Sequence, residues 1–201
     1  MSDEKIIVGC IIMASGQGKR FGSNKLMADF CGEPLLAASL KVTENLFSQR
    51  FVVTKHKSVA DYCEKNKIDF VEHTFPNRND TIRIGLAYLE HIEPNVTHCL
   101  FAMGDQPLIQ KTTLENLLAA VQKEPEYIWR LASETIVGAP VLFPKRFFSE
   151  LKTLPIGKGG GVLLKKYANQ VHTVPVLSDE ELLDVDTLED LRKITEIKHS
   201  L

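Results

Sequence analysis

Short apolar runs alternate along this chain with stretches whose apolar positions recur every three or four residues, which predicts strands and helices in turn. Ile6–Met13, Ile-Ile-Val-Gly-Cys-Ile-Ile-Met, suits a strand covered on both faces, as in a parallel sheet. Phe51–Thr54, Ile68–Val71 and Thr97–Met103 read as three further strands. Between them, Pro34 is expected to open a helix that carries Leu35, Leu36, Leu40 and Leu46 among its apolar positions. Ser58–Lys65 reads as a second helix. Asp80 is placed to cap a third running to about Ile92, with Ile82, Leu86 and Leu89 at i, i+4 and i+7. Thr112 and Glu115 have the spacing of a reciprocal capping pair for a fourth.

After about residue 125 the rhythm loosens. Strand-like pieces lie near 127–132, 136–143 and 171–176, and helices are expected after Pro144, after Gly161 and from about Thr187. The alternation predicts an α/β fold with a mostly parallel mixed sheet and helices on both faces. No repeat, low-complexity tract or Pro/Ser linker interrupts it, so 1–201 is read as one domain with halves of about 1–125 and 126–201.

A chain of 201 residues can bury about 70% of the surface it exposes when unfolded, enough for a full core. The formal net charge of −2 offers no basic field for nucleic acid, so any phosphate site must be local. Cys10, Cys31, Cys63 and Cys99 form no CxxC pair and read as buried free thiols of a reducing compartment. The six histidines lack the spacing of a zinc site. The acidic start, Met-Ser-Asp-Glu-Lys, does not resemble a signal peptide, and no apolar run approaches the ~18 residues of a membrane span. A cytoplasmic protein with no membrane association is the expectation.

The chemistry concentrates in Met13-Ala-Ser-Gly-Gln-Gly-Lys-Arg-Phe-Gly-Ser-Asn-Lys25, directly after the first strand. Ligands of open α/β sheets sit outside the carboxyl ends of strands. Gly16, Gly18 and Gly22 would let the backbone bend with positive φ, and successive N–H groups in such a loop cradle anions. Lys19, Arg20 and Lys25 add cations and no acid intervenes, which suits a polyphosphate. Two commoner phosphate loops do not fit. Both the dinucleotide pattern GxGxxG and the Walker pattern would require glycine at Phe21. The structural alternative is a flexible basic surface loop.

Two acidic segments are candidates for a metal site. Asp105, in Met103-Gly-Asp-Gln-Pro107, ends the fourth strand where a carboxylate can hold Mg²⁺ against a triphosphate; the alternative is a plain turn. Leu183-Asp-Val-Asp-Thr-Leu-Glu-Asp-Leu191 offers Asp186, and less so Asp184, as a second metal ligand; helix capping by Asp186 or Thr187 is the alternative.

These segments together resemble the MobA-like nucleotidyltransferases, most nearly the molybdenum cofactor cytidylyltransferase family, whose loop reads Leu-Ala-Ala-Gly-x-Ser-x-Arg-Met-Gly-x-x-Lys. Gly104-Asp-Gln-Pro107, Gly138-Ala-Pro-Val-Leu-Phe-Pro144, Gly157-Lys-Gly-Gly160 and Asp184-Val-Asp-Thr-Leu-Glu-Asp-Leu191 follow in the family's order. The resemblance implies a Rossmann-like nucleotidyltransferase fold, with a nucleotide-binding first half and an acceptor-binding second half. It implies transfer of NMP, CMP rather than GMP, from an NTP to a phosphorylated acceptor, molybdopterin or the molybdenum cofactor, with release of pyrophosphate. Arg20 and Lys25 would neutralise phosphates; Asp105 and Asp186 would hold Mg²⁺; Ala14, Ser15 and Gly16 would touch base and ribose. The small-molecule substrates would be joined by a molybdoenzyme or its chaperone as protein partner.

The chain also departs from that pattern. Ser15 replaces the second Ala and Gly18 the Ser. Asn77-Arg-Asn-Asp-Thr-Ile-Arg-Ile-Gly-Leu86 stands where the cytidylyltransferase has Gly-Met-Ser-Ser-Ser. It looks more like the Thr-Arg-x-x-Ser-Val segment of methylerythritol phosphate or sugar-acid cytidylyltransferases, with Thr81 at the nucleotide. Sugar or polyol phosphates are therefore rival acceptors, and a non-catalytic nucleotide- or cofactor-binding protein is the rival of another class. Gly157-Lys-Gly-Gly-Gly161 would offer N–H groups and Lys158 to an acceptor phosphate, or be only a turn.

Overall fold

The computed structural model describes residues 5–16, 18 and 20–200. Its centre is a seven-stranded sheet of β1 (Val8–Met13), β4 (Gln49–Thr54), β5 (Phe70–Glu72), β6 (His98–Met103), β7 (Ile128–Ala132), β8 (Val137–Pro144) and β9 (Val171–Pro175), in the order β5-β4-β1-β6-β8-β7-β9. Only β8 runs against its neighbours. All other pairings are parallel. The mixed, mostly parallel sheet expected from the sequence is therefore present, and all three strands of the second half continue it.

Strand order reverses at β1: the chain moves outward through β4 and β5, then returns to place β6 on the other side. That reversal opens a crevice at the strand ends, where ligands of such sheets bind. The residues that follow β1 and β6 flank it.

Helices cover both faces. α1 (Leu36–Val42), α2 (Lys57–Lys65) and α4 (Lys111–Lys123) pack one side through Leu36, Leu40, Val59, Cys63, Leu114 and Leu117. α3 (Arg78–Ile92), α5 (Phe148–Lys152) and α6 (Gly161–Lys166) pack the other through Ile82, Leu86, Leu89, Phe148, Leu151 and Leu163. A third, smaller core lies off the sheet. There Ile194 of α7 (Leu188–Ser200) meets Phe21, Phe30, Leu35, Leu108 and Val185.

Several local readings need correction. Pro34 does not open α1; it belongs to β3 (Glu33–Pro34), which pairs with β2 (Asp29–Phe30) across Cys31-Gly32. Both turn residues have positive φ, 56° and 87°, the geometry a two-residue hairpin needs, and α1 starts only at Leu36 and stops before Leu46. Asp80 is the third residue of α3 and accepts from the N–H of Asn77, the true cap, at 3.4 Å. Thr112 lies inside α4, whose cap is Gln110, and the Gln110 N–H donates to Glu181 Oε2 at 2.9 Å. Cys10, Cys63 and Cys99 are buried free thiols, but Cys31 is exposed. Burial pushes Cys10 up to about 12 and Cys63 up to about 11, so neither is a nucleophile near neutral pH. No helix among the described residues is long and apolar enough to cross a membrane.

Candidate active site

The loop after β1 is fastened at both ends. The Ala14 N–H donates to the Val53 carbonyl at 2.9 Å, the Ala14 carbonyl accepts from Thr54 Oγ1 at 2.9 Å, and His56 Nε2 donates to the Gly16 carbonyl at 2.7 Å. At the far end Asn24 accepts from the Leu26 N–H at 3.3 Å and donates to Ser58 Oγ at 2.9 Å. Between these points the chain reverses at Gly18, φ +56°, whose carbonyl accepts from the N–H groups of Phe21 and Gly22 at 2.9 and 3.1 Å. A Cβ at Gly18 would lie 2.6 Å from the Ser23 carbonyl oxygen. The serine usual in the resembling family therefore has no room in this conformation. Gly22 is also left-handed, at +81°, whereas Gly16 is not and merely leaves open space. Lys19 falls outside the described residues, so the loop's described cations are Arg20 and Lys25.

Phe21, the residue that excluded the common phosphate loops, is 6% exposed and anchors the loop in the third core beside Leu108 and Val185. Those two neighbours lie three positions beyond Asp105 and one before Asp186. The same apolar contacts that seat the loop thus bring both acids to it. A backbone bond from the Val185 N–H to the Asp105 carbonyl, 3.0 Å, completes the link. Capping of α7 is done by Thr187 and Asp190: the Asp190 N–H donates to Thr187 Oγ1 at 3.1 Å, and Asp190 Oδ2 accepts from the Thr187 N–H at 2.8 Å. The Asp186 carboxylate is therefore spared for the crevice.

There Lys25 Nζ lies 2.6 Å from Asp105 Oδ2 and 2.9 Å from Asp186 Oδ1, while Arg20 Nη2 lies 2.5 Å from Asp186 Oδ2. Burial alone would lower the Lys25 ammonium, but the charges and hydrogen bonds of Asp105 and Asp186 outweigh it and raise its pKa. The hydrogen bond from Lys25, with the Arg20 charge beyond it, holds Asp186 below the usual carboxylate range. Asp184 behaves oppositely: burial, then the Asp105 charge, pushes it up to about 6. Lys25, expected to reach for phosphates, instead bridges the two carboxylates expected to share a cation. The expected residues are together; the pairing among them differs.

Asp105 Oδ1 is buried and has no hydrogen-bond partner among the described residues. An orphan carboxylate oxygen in a cleft is costly unless a ligand or cation uses it. With Asp186 opposite, the donor set is all oxygen, which suits a hard divalent cation that takes its remaining ligands from phosphates and water. Among the described residues no cluster of three or more His, Cys, Asp or Glu forms a complete cage.

These groups line a cleft of about 520 Å³. Ser15, Gly16, Gly18, Arg20, Lys25, Thr81, Asp105 and Asp186 all reach it, as does Asp184. Ala14 does not: it is fully buried and both its backbone groups are already bonded, so it supports the loop without facing a ligand. Of the Gly157–Gly161 segment only Gly157 lines the cleft, tied down through its N–H to Asn79 Oδ1 at 2.8 Å. Sequence reasoning missed Pro76 and Arg78, which wall the cleft before and within the first turn of α3, and His56 and His73, which hold the walls from behind. The Pro-Asn pair ahead of α3 could have flagged the first two; the histidines carried no local signal.

The family model of the MobA-like NTP transferase domain matches residues 10–172. Over 194 residues, 94% of this chain and 91% of the relative, the sequence is 25% identical to a probable molybdenum cofactor guanylyltransferase of Aquifex aeolicus. The fold is similar to that of Rv0371c from Mycobacterium tuberculosis, with TM-score 0.80 and 26% identity over 96% of this chain and 99% of the other. It is similar also to a manganese complex of Rv0371c, with TM-score 0.75 and 23% identity over 94% and 98%.

Proposed function

Because the chain belongs to the MobA-like NTP transferase domain family, we propose that it transfers an NMP unit from CTP to molybdopterin or another form of the molybdenum cofactor. One observation carries this reading. Two cations and the carboxylates of Asp105 and Asp186 meet at the sheet's switch point, beside a loop whose backbone turns back on itself. In the reaction an oxygen of the acceptor's phosphate attacks the α-phosphorus of the NTP. The bond from that phosphorus to the oxygen bridging to the β-phosphate breaks, and pyrophosphate leaves. The acceptor phosphate is already ionised, so no general base is required; positioning and charge neutralisation supply the rate.

Arg20 and Lys25 are the groups for the phosphates. When phosphate oxygens enter, Lys25 can exchange one carboxylate for a phosphate without losing its charge partner. Asp105 and Asp186 would hold Mg²⁺, whose charge offsets that of the triphosphate during attack; the manganese bound to the mycobacterial neighbour agrees with this choice of a hard cation. Ser15, Gly16 and Thr81 serve the nucleoside.

The acceptor side is less polar. Next to the cleft, and sharing Met13, Arg78 and Met103 with it, is an annex of about 140 Å³ lined by Ile82, Phe101, Val141, Phe143 and Gly161. An apolar annex can pack the faces of a flat ring whose polar edge turns toward Arg78 and the cleft, whereas a sugar or polyol phosphate carries hydroxyls on every side and would bury some without partners. Such a product would pass in the cytoplasm to a molybdoenzyme or its chaperone. A second reading, GTP as donor, is favoured by the Aquifex relative.

Pyrophosphate release from CTP and from GTP with Mg²⁺ and molybdopterin, against polyol phosphates as controls, tests this. Release dependent on molybdopterin supports it, and Asp105→Ala should reduce turnover by on the order of 10³ while leaving the melting temperature within a few degrees. Release with polyol phosphate alone, or full turnover in the Ala variant, would overturn it. Gly161 lines the annex and a Cβ there meets nothing within 4 Å, so Gly161→Leu adds apolar bulk at the annex wall with no clash at Cβ. It should leave NTP affinity unchanged and cut molybdopterin-dependent turnover about tenfold, the order expected when a hydrophobic subsite is lost.

A further inference from the structure

The cleft has two unlike ends. Arg20, Lys25, Asp105, Asp184 and Asp186 gather where β1 meets β6, whereas Ser15, Gly16, Pro76, Asn77 and Thr81 line the side toward β4 and β5, with Arg78 the one described charge among them. If the charged end takes the phosphates of a nucleotide, its uncharged nucleoside lies toward Ser15 and Thr81.

Behind these two residues stands His73. Its N–H extends the sheet by donating to the Thr54 carbonyl at 2.9 Å, and the residue is 7% exposed. Nε2 lies 3.1 Å from Ser15 Oγ and 3.3 Å from Thr81 Oγ1. The proton positions follow by elimination. Ser15 has one hydroxyl proton, and the Val53 carbonyl, 3.2 Å away, can only accept it. With that proton on the Val53 carbonyl, Ser15 Oγ accepts from His73 and the ring proton sits on Nε2. The other tautomer would bury an Nδ1–H, and Nδ1 is buried with no partner among the described residues. A bare acceptor there costs less than an orphaned donor would. Burial, followed by the positive charge of Lys55, lowers the ring's pKa, so it is neutral. With Nε2–H given to both hydroxyls, Thr81 keeps its own O–H proton, and His73 is its hydroxyl's only partner among the described residues.

We propose that His73 is a positioning residue for the nucleoside half of the substrate: its Nε2–H fixes the Ser15 and Thr81 hydroxyls and so turns the Thr81 O–H into an aimed donor for an acceptor atom of the base. This rests on the nucleotidyl-transfer reading. It links three separate elements, the β1 loop, the end of β5 and the first turn of α3, through one ring nitrogen. It also gives the Ser15 hydroxyl a task that alanine could not perform.

The test measures binding of CTP, GTP, ATP, UTP and inorganic tripolyphosphate by calorimetry, with Mg²⁺, to the full chain and to His73→Phe and His73→Gln. Tripolyphosphate reads the charged end alone. Phe keeps the ring's bulk without a donor, and Gln places an amide N–H near the position of Nε2. The expected result is that His73→Phe weakens the preferred NTP about tenfold, narrows discrimination among the four, and leaves tripolyphosphate unchanged, while His73→Gln stays within about threefold of wild type. Wild-type affinities in His73→Phe, an equal loss for tripolyphosphate, or equal failure of the Gln variant would overturn the proposal. Should the Phe variant not fold, Thr81→Val, which removes only the hydroxyl, must show the same nucleoside-selective loss; unchanged discrimination there refutes the role. A wild-type protein that binds tripolyphosphate but no NTP would instead overturn the nucleotidyl-transfer reading itself.

Discussion

Replacing Lys25 by methionine keeps the stem and deletes the charge that bridges two carboxylates. At the observed separations of 2.6 and 2.9 Å, each attraction is worth about 6 kcal/mol at an effective dielectric of 20. Most of that is offset by the cost of removing the ammonium from water and fixing its four-carbon stem. Breaking a buried pair typically costs about 3–5 kcal/mol, because the partner is left uncompensated. Here the Asp186 side chain is 39% exposed and can turn to solvent, so its share is screened, and the Asp105 side chain, 15% exposed, carries most of the penalty. About 2 kcal/mol remains, which for a chain of 201 residues lowers the melting temperature by roughly 4–8 °C. The loss should shrink with a divalent cation. Without Lys25 the carboxylates are a better cation site, so millimolar Mg²⁺ should return more stability to Lys25→Met than to wild type, while NTP affinity stays reduced at least tenfold. Thermal unfolding with and without Mg²⁺, and with Asp186→Asn added to the same background, reads all of this. An unchanged melting temperature, or a variant no more responsive to Mg²⁺ than wild type, would refute the claim that Lys25 balances the charge of Asp105 and Asp186.

Two shorter predictions address the loop and the core. Gly18→Ala must move the Ser23 carbonyl or leave the left-handed region, which costs about 1–2 kcal/mol; isothermal titration should show NTP affinity falling about tenfold, and unchanged affinity would mean that the loop rearranges on binding. His98 is buried neutral, with Nε2 donating to the Pro125 carbonyl at 2.8 Å. Burial holds its pKa below the unfolded value near 6.5, so protons prefer the unfolded chain; the stability it contributes is complete above about pH 6.5 and is lost as pH falls through the lower folded value. The urea midpoint should fall between pH 7.5 and 5 by more in wild type than in His98→Gln, and equal slopes would exclude the histidine as the cause.

The sequence was most legible where a local pattern answers to a local force. The apolar runs at Ile6–Met13 and Thr97–Met103 gave β1 and β6 within two residues, because a strand buried on both faces must be apolar throughout. The loop between them was visible through its glycines and cations, and Asp105 through its position at a strand end. What stayed hidden depended on residues far apart in the chain. Pro34 looked like a helix start because its pairing with Asp29 is invisible to helical periodicity. Asp186 could be read equally as a cap, and only the side chain of Asp190, satisfying that duty, releases it. Ala14 shared a motif with its cleft-facing neighbours but points into the core.

The third core explains why these pieces belong together. Phe21, Leu108, Val185 and Ile194 come from four segments with little secondary structure in common, and their burial fixes the separations among Arg20, Lys25, Asp105 and Asp186. Charges of this kind do not assemble themselves: three acids and two cations in a cleft gain little from one another in water. An apolar cluster of non-directional contacts holds them within reach of one another before any ligand arrives, so that ion pairs, and not the backbone, change partners when a ligand enters. Phe21, which spoils both the dinucleotide and the Walker pattern, is thus the residue that seats this loop.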